Sequence, residues 1–120
     1  MHTRMKVSGN DMIDSLKVAV RGSEGDLFEI LESNEIHPST ILLPDGSTAL
    51  HIASRGGRWE LVIMLIEHGA NVFARDTNLN MPIDVAEDFS NSDPHRYCML
   101  VLRQEMDNIR ARDNFVRARG

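Results

Sequence analysis

Thr48-Ala49-Leu50-His51-Ile52-Ala53 returns as Met81-Pro82-Ile83-Asp84-Val85-Ala86, offset by 33 residues at every position. A fainter match lies upstream, where Leu16-Lys17-Val18-Ala19 precedes Leu50-His51-Ile52-Ala53 by 34 residues. The segments that follow keep step, since Asp26-Leu27-Phe28-Glu29-Ile30-Leu31 parallels Glu60-Leu61-Val62-Ile63-Met64-Leu65. A short, fixed period of this kind means that one small unit recurs. Such a unit cannot bury its apolar face alone, so neighbouring units must stack to make a core.

The middle unit shows what is repeated. Asp45-Gly46 is a turn pair, because glycine takes positive φ without steric cost. Thr48 is placed to N-cap a helix. Leu50, Ile52 and Ala53 then face inward over two turns, and Gly56-Gly57 breaks the helix. A second helix is expected from about Arg58 to Glu67, with Leu61, Val62, Met64, Leu65 and Ile66 at helical spacing. Gly69 is expected to close it in a left-handed conformation.

The flanking units are degraded. In the third, Leu79 and Met81 stand where Gly46 and Thr48 stood. The turn is therefore expected at Asn78 or Asn80, which tolerate left-handed backbone, with Asn80 also a candidate cap. Pro82 suits the first turn of a helix. Asn91-Ser92-Asp93-Pro94 starts a last helix, expected to reach about Val116, with Cys98, Val101, Leu102, Glu105 and Ile109 on one face. In the first unit Asp14 aligns with Thr48 as a cap. The expected organisation is a flexible 1–10, repeats at about 11–43, 44–76 and 77–106, and a basic helical extension over 107–120.

Composition bounds the rest. Hydrophobic residues are 42% and charged residues 26%, the balance of a folded, non-fibrous protein. Aromatics are only 5%, so the core must be aliphatic. No apolar run approaches the roughly 18 residues that span a bilayer, so no membrane insertion is expected. The single cysteine, Cys98, excludes an internal disulfide and suits a reducing compartment, cytoplasmic or nuclear. The net charge of −5 is uneven: residues 103–120 carry +2 and the remainder −7. An acidic body argues against a nucleic-acid partner, which needs a basic face.

Residues Asp45 to Asp76, DGSTALHIASRGGRWELVIMLIEHGANVFARD, resemble the ankyrin repeat along nearly their whole length. A period of about 33 with T-x-L-H-x-A is that family's signature. The resemblance implies an all-α fold, an ankyrin-repeat solenoid of about three helix-turn-helix repeats with an extended C-terminal helix. It implies a protein–protein interaction module, an adaptor or scaffold, whose partner is another protein. The alternative is a regulatory or targeting subunit, or an inhibitor, of a kinase or phosphatase. Asn80 to Asp88, followed by a charged helix, is similar to the last repeat of the myosin-phosphatase-targeting group. That group has a basic-x-valine-x-phenylalanine motif ahead of its repeats. Here Arg4-Met5-Lys6-Val7-Ser8-Gly9 ends in glycine instead. The family's binding side is concave, made of turn tips and first-helix faces. Carried over by position, it comprises Pro44, Asp45 and Ser47, then Arg75, Thr77, Asn78 and Asn80, with Arg55, Asp88 and Phe89 from the first helices. Phe89 and Trp59 each have a second role open to them, covering the third repeat and stapling adjacent repeats.

No catalytic, cofactor or metal site is expected. His2, His37, His51, His68 and His95 show no i, i+4 pair and no cysteine at zinc spacing. His51 matches the family's structural histidine, which implies hydrogen bonds to the cap and turn backbone. Cys98 falls on an apolar helix face, where thiols are inert. With so few repeats, a homodimer or a partner is expected to complete the core. The candidate seams are Val101, Leu102 and Ile109 with Phe115 and Val116 beyond, and Ile41-Leu42-Leu43.

Overall fold

A computed structural model describes residues 9–22, 24–89 and 91–119, with side chains for 13–22, 24–89 and 91–113. Arg4 to Ser8 and the side chains of Phe115 and Val116, singled out above, lie outside the described residues. Among the described residues there are six helices: α1 Gly9–Gly22, α2 Glu24–Ser33, α3 Ala49–Arg55, α4 Trp59–Glu67, α5 Pro82–Glu87 and α6 Asp93–Arg119. Among the described residues, extended pairing is limited to one antiparallel bridge between Ile41 and Thr48. The helices fall into pairs, α1–α2, α3–α4 and α5–α6. α1, α3 and α5 make an inner row, and α2, α4 and α6 an outer row packed on it.

The core follows the repeat. Leu16, Leu50 and Ile83 are equivalent and all buried, as are Ala19, Ala53 and Ala86. Alanine at that position lets inner helices approach closely. Leu27 and Leu31 on α2 match Leu61 and Leu65 on α4, again buried. Burying each such leucine contributes roughly 2 kcal/mol. Val18 departs from its equivalents: it is 71% exposed, whereas Ile52 and Val85 are buried. Ile52 sits on a helix flanked on both sides, by α1 and by α5, whereas α1 is flanked only by α3 among the described residues.

Helix ends follow local chemistry. Gly69, at φ +94°, closes α4: its N–H reaches the Ile66 carbonyl at 3.0 Å and the Ala70 N–H reaches Leu65 at 2.9 Å. These are the two bonds of a Schellman motif. Pro82 is the first residue of α5. Asp14, aligned with the cap Thr48, proves instead to be interior to α1, where it pairs with Lys17 at 3.5 Å. α1 begins at Gly9, so helical geometry already satisfies the backbone around Asp14.

α6 folds back onto α4 and α5. Its buried stripe is Cys98, Leu102 and Met106, four residues apart. Val101, Glu105 and Ile109 flank that stripe, half-buried. Burial, and next the nearby Glu60 carboxylate, push the Cys98 thiol up to about 11, so it stays protonated and inert. The Ile41-Leu42-Leu43 segment is not a continuous uncovered patch. Leu42 is buried in the core, Leu43 is half-buried, and only Ile41 is exposed.

The first two helix pairs are also tied by polar contacts. His68 Nδ1 lies 2.8 Å from the Met64 carbonyl and Nε2 2.8 Å from the Glu32 carboxylate. Two acceptors favour the doubly protonated ring, so the Met64 carbonyl first and Glu32 second raise the pKa of His68. Arg58 reaches the Arg21 carbonyl at 3.0 Å, and the Asn71 N–H reaches Ser39 Oγ at 2.8 Å.

Candidate protein-binding site

The turn before each inner helix is built on one plan. In the middle repeat, the Gly46 N–H donates to Leu43 O at 2.9 Å and the Leu42 N–H to Ser47 O at 2.7 Å. Asp45 Oδ1 accepts the Ser47 N–H at 3.0 Å. In the third repeat the Leu79 N–H donates to Asp76 O at 2.9 Å and the Asp76 N–H to Asn80 O at 3.0 Å. Asp76, buried, accepts the Asn78 and Asn80 N–H groups on Oδ1, both at 2.9 Å. Gly46 has φ +83° and Leu79 φ +66°. The left-handed residue of the third turn is therefore Leu79, not Asn78 or Asn80. The carboxylate of Asp76 holds both flanking N–H groups, so the geometry is imposed on whatever residue lies between. The cap of α5 is Met81 rather than Asn80, and its N–H is taken by Asp84 Oδ2 at 2.9 Å.

The two tips are bonded to each other. The N–H and hydroxyl of Thr77 both donate to the Asp45 carbonyl, at 2.8 and 3.0 Å. Beneath them lies His51, fully buried. Its Nδ1 accepts the Thr48 N–H at 3.1 Å, with the Thr48 hydroxyl 3.0 Å away. Its Nε2 lies 2.8 Å from the Asn80 carbonyl, which can only accept, so Nε2 carries the hydrogen. One ring thus joins the cap of α3 to the next turn. At the equivalent place Asp84 repeats the cap bond but, as a carboxylate, has no donor to pass onward.

This framework presents Pro44, Arg75, Thr77 and Asn78 on the exposed side of the tips, with Asp45 partly exposed beside them. Arg55, Asp88 and Phe89 are exposed at the far ends of α3 and α5. Ala49 to Ser54 between the two rows are all buried, so the expected site divides into a tip row and a helix-end row. Ser47 does not belong to the accessible set: it is 0% exposed, turned into the stack behind Asp45. Asn80 is half-buried, and its backbone is committed to Asp76 and His51.

Leu79, passed over by the spacing argument, is 68% exposed at the tip. An exposed leucine held in left-handed backbone costs roughly 1–2 kcal/mol, partly offset because glycine there would be freer when unfolded. Leu79→Gly is expected to stabilise the fold by about 0.5–1 kcal/mol. Chemical denaturation checks this, and an unchanged or lowered midpoint would show that the leucine makes contacts worth more than its strain.

The aromatic residues pair. Phe89, 45% exposed, stacks on His95 at 4.9 Å, and His95 Nε2 donates to the Arg55 carbonyl at 2.7 Å. Phe89 thus leans on the end of the third repeat while leaving part of its ring free. Trp59 meets Tyr97 of α6 at 5.8 Å, bridging the second and third helix pairs. Among the described residues, no group of three or more His, Cys, Asp or Glu is placed to hold a metal ion, and no helix is long and apolar enough to cross a membrane.

Paired helices, left-handed tips and a buried histidine that joins the second repeat to the third define a helical-repeat protein. Residues 33–86 match the family model for ankyrin repeats, present in many copies. The potassium channel AKT3 of Oryza sativa subsp. japonica is 33% identical over 87 residues, 72% of this chain and 10% of its own length. The tRNA endonuclease ANKZF1 of Bos taurus is 34% identical over 97 residues, 75% of this chain and 13% of its own. The potassium channel SKOR of Arabidopsis thaliana is 38% identical over 71 residues, 59% of this chain and 8% of its own. The chain belongs to the ankyrin-repeat family. It spans about a tenth of the length of the curated relatives it matches.

Proposed function

We propose that this chain is an adaptor or scaffold module that holds another protein on its tips. The tip row, Pro44, Asp45, Arg75, Thr77, Asn78 and Leu79, makes the primary contact. Arg55, Asp88 and Phe89 form a second row. The observation that carries this reading is the rigid coupling of the tips through Thr77–Asp45 and His51–Asn80. Preorganised backbone lets exposed side chains bind without a large ordering cost. Ankyrin repeats generally bind other proteins, which supports the same assignment. The activities for which the relatives are named belong to those far longer proteins. A reducing compartment, cytoplasmic or nuclear, remains the proposed location on the strength of Cys98.

The double change Arg75→Glu with Asn78→Ala should remove the partner recovered by quantitative pull-down with the native chain. Helicity and melting should be retained, because exposed tip residues contribute little stability. A partner that survives this change and also Phe89→Ala sits elsewhere.

A further inference from the structure

One histidine ring links the first two repeats, and it faces an acceptor on each side. His68 ends α4, and its Nδ1 lies 2.8 Å from the Met64 carbonyl of the same helix. Its Nε2 lies 2.8 Å from Glu32 Oε2, across the junction on α2. Phe28, one helical turn before Glu32, meets the same ring in a T-shaped contact at 6.0 Å. Residues four apart share a helix face, so α2 brings a carboxylate and a phenyl ring onto one imidazole. Phe28 is 48% exposed whereas its equivalent Val62 is fully buried, so the core does not account for this aromatic position and the contact with His68 does.

A neutral ring cannot make both polar contacts. Neutral imidazole carries one N–H, and a carbonyl and a carboxylate can only accept. Loss of the second proton therefore sets a lone pair against an oxygen 2.8 Å away, so either the Glu32 tie or the Met64 anchor must open. We infer that His68 and Glu32 form a pH-sensitive clasp, which fastens the α1–α2 pair to the second repeat while the ring is charged and releases it when the ring is neutral. The charged groups bearing on the ring are Glu32 from α2 and Glu67 from α4, and both favour the closed form. The Met64 carbonyl first and Glu32 second hold the His68 pKa above the ordinary histidine value of about 6.5. The clasp is thus complete below that value and is lost as pH rises through the higher, folded one. Glu32 is 56% exposed, so water screens the pair and keeps the effect modest. His51 at the next junction differs. It meets an N–H at Nδ1 and a carbonyl at Nε2, and the neutral ring satisfies both. The clasp is built from contacts outside the tip row and stands independently of the function proposed above.

Nuclear magnetic resonance of the native chain over roughly pH 5.5 to 8.5 tests this. The His68 ring should titrate above about 6.5. Across that transition the protection factors of the Leu16, Val20, Leu27 and Leu31 amides, corrected for intrinsic exchange, should fall by roughly three- to tenfold. Those of Leu50, Leu61 and Leu65 should hold. His68→Gln should abolish the pH dependence in α1–α2, which separates it from the other histidines. Glu32→Gln, at an exposed position, should lower the His68 titration point and flatten the same transition. A His68 that titrates at or below the ordinary value overturns the inference. So does α1–α2 protection that is constant with pH in the native chain, or that varies equally in both variants.

Discussion

Replacing His51 by alanine is expected to destabilise the chain by about 3 kcal/mol, the largest effect of any polar substitution. The ring is fully buried and occupied on both nitrogens. Its removal strands the buried Thr48 N–H, at roughly 1–3 kcal/mol for a buried group left unpaired, and leaves the Asn80 carbonyl with the Asp76 N–H alone. It also leaves a void between α3 and the third turn, which adds to the loss. In a domain of this size the melting temperature should fall by roughly 10 °C. Urea unfolding followed by circular dichroism measures it directly. A loss below about 1 kcal/mol would mean that water or a shifted backbone replaces both bonds.

Gly46→Ala should cost about 2 kcal/mol, for two separable reasons. The backbone there has φ +83°, where a side chain is strained. A Cβ would also lie 3.0 Å from the Thr77 N and 3.2 Å from the Asp76 Cα, both unyielding backbone atoms. Relief would push the third tip away and stretch the Thr77–Asp45 bonds. Gly69 supplies the control, since it has φ +94° but no atom within 4 Å of the added Cβ. Gly69→Ala should therefore show the conformational part alone. If the two alanine variants melt together, the tips are not in close contact.

The fold was legible because its apolar positions recur at a fixed period, and burial follows them from Leu16 to Leu50 to Ile83. Gly69, Pro82 and the Gly56-Gly57 break were equally plain, since each has one dominant conformational use. Asp14 misled because alignment to Thr48 says nothing about whether the preceding backbone is already helical. The third turn misled for a different reason. Asparagine has the intrinsic preference for left-handed backbone, yet Asp76 fixes the turn from one side and places Leu79 at the strained position. Position in the repeat locates the turns, but the burial of Ser47 depends on how the turn folds under, which spacing does not encode. The pairing of His68 with Glu32 was invisible because the two side chains meet only once α2 and α4 are docked.

The links between repeats are unequal, and this divides the chain into units of different cooperativity. Apolar burial holds both junctions. Between the second and third repeats there is also a fully buried hydrogen-bonded ring, together with doubled bonds from Thr77. Between the first and second, the polar ties through Glu32, Arg58 and Ser39 are largely open to solvent, which competes for them. The α1–α2 pair is therefore the part that frays first, while α3 to α6 open together or not at all. Both tips lie inside the cooperative block, so the first helix pair can come and go without disturbing the surface proposed for a partner.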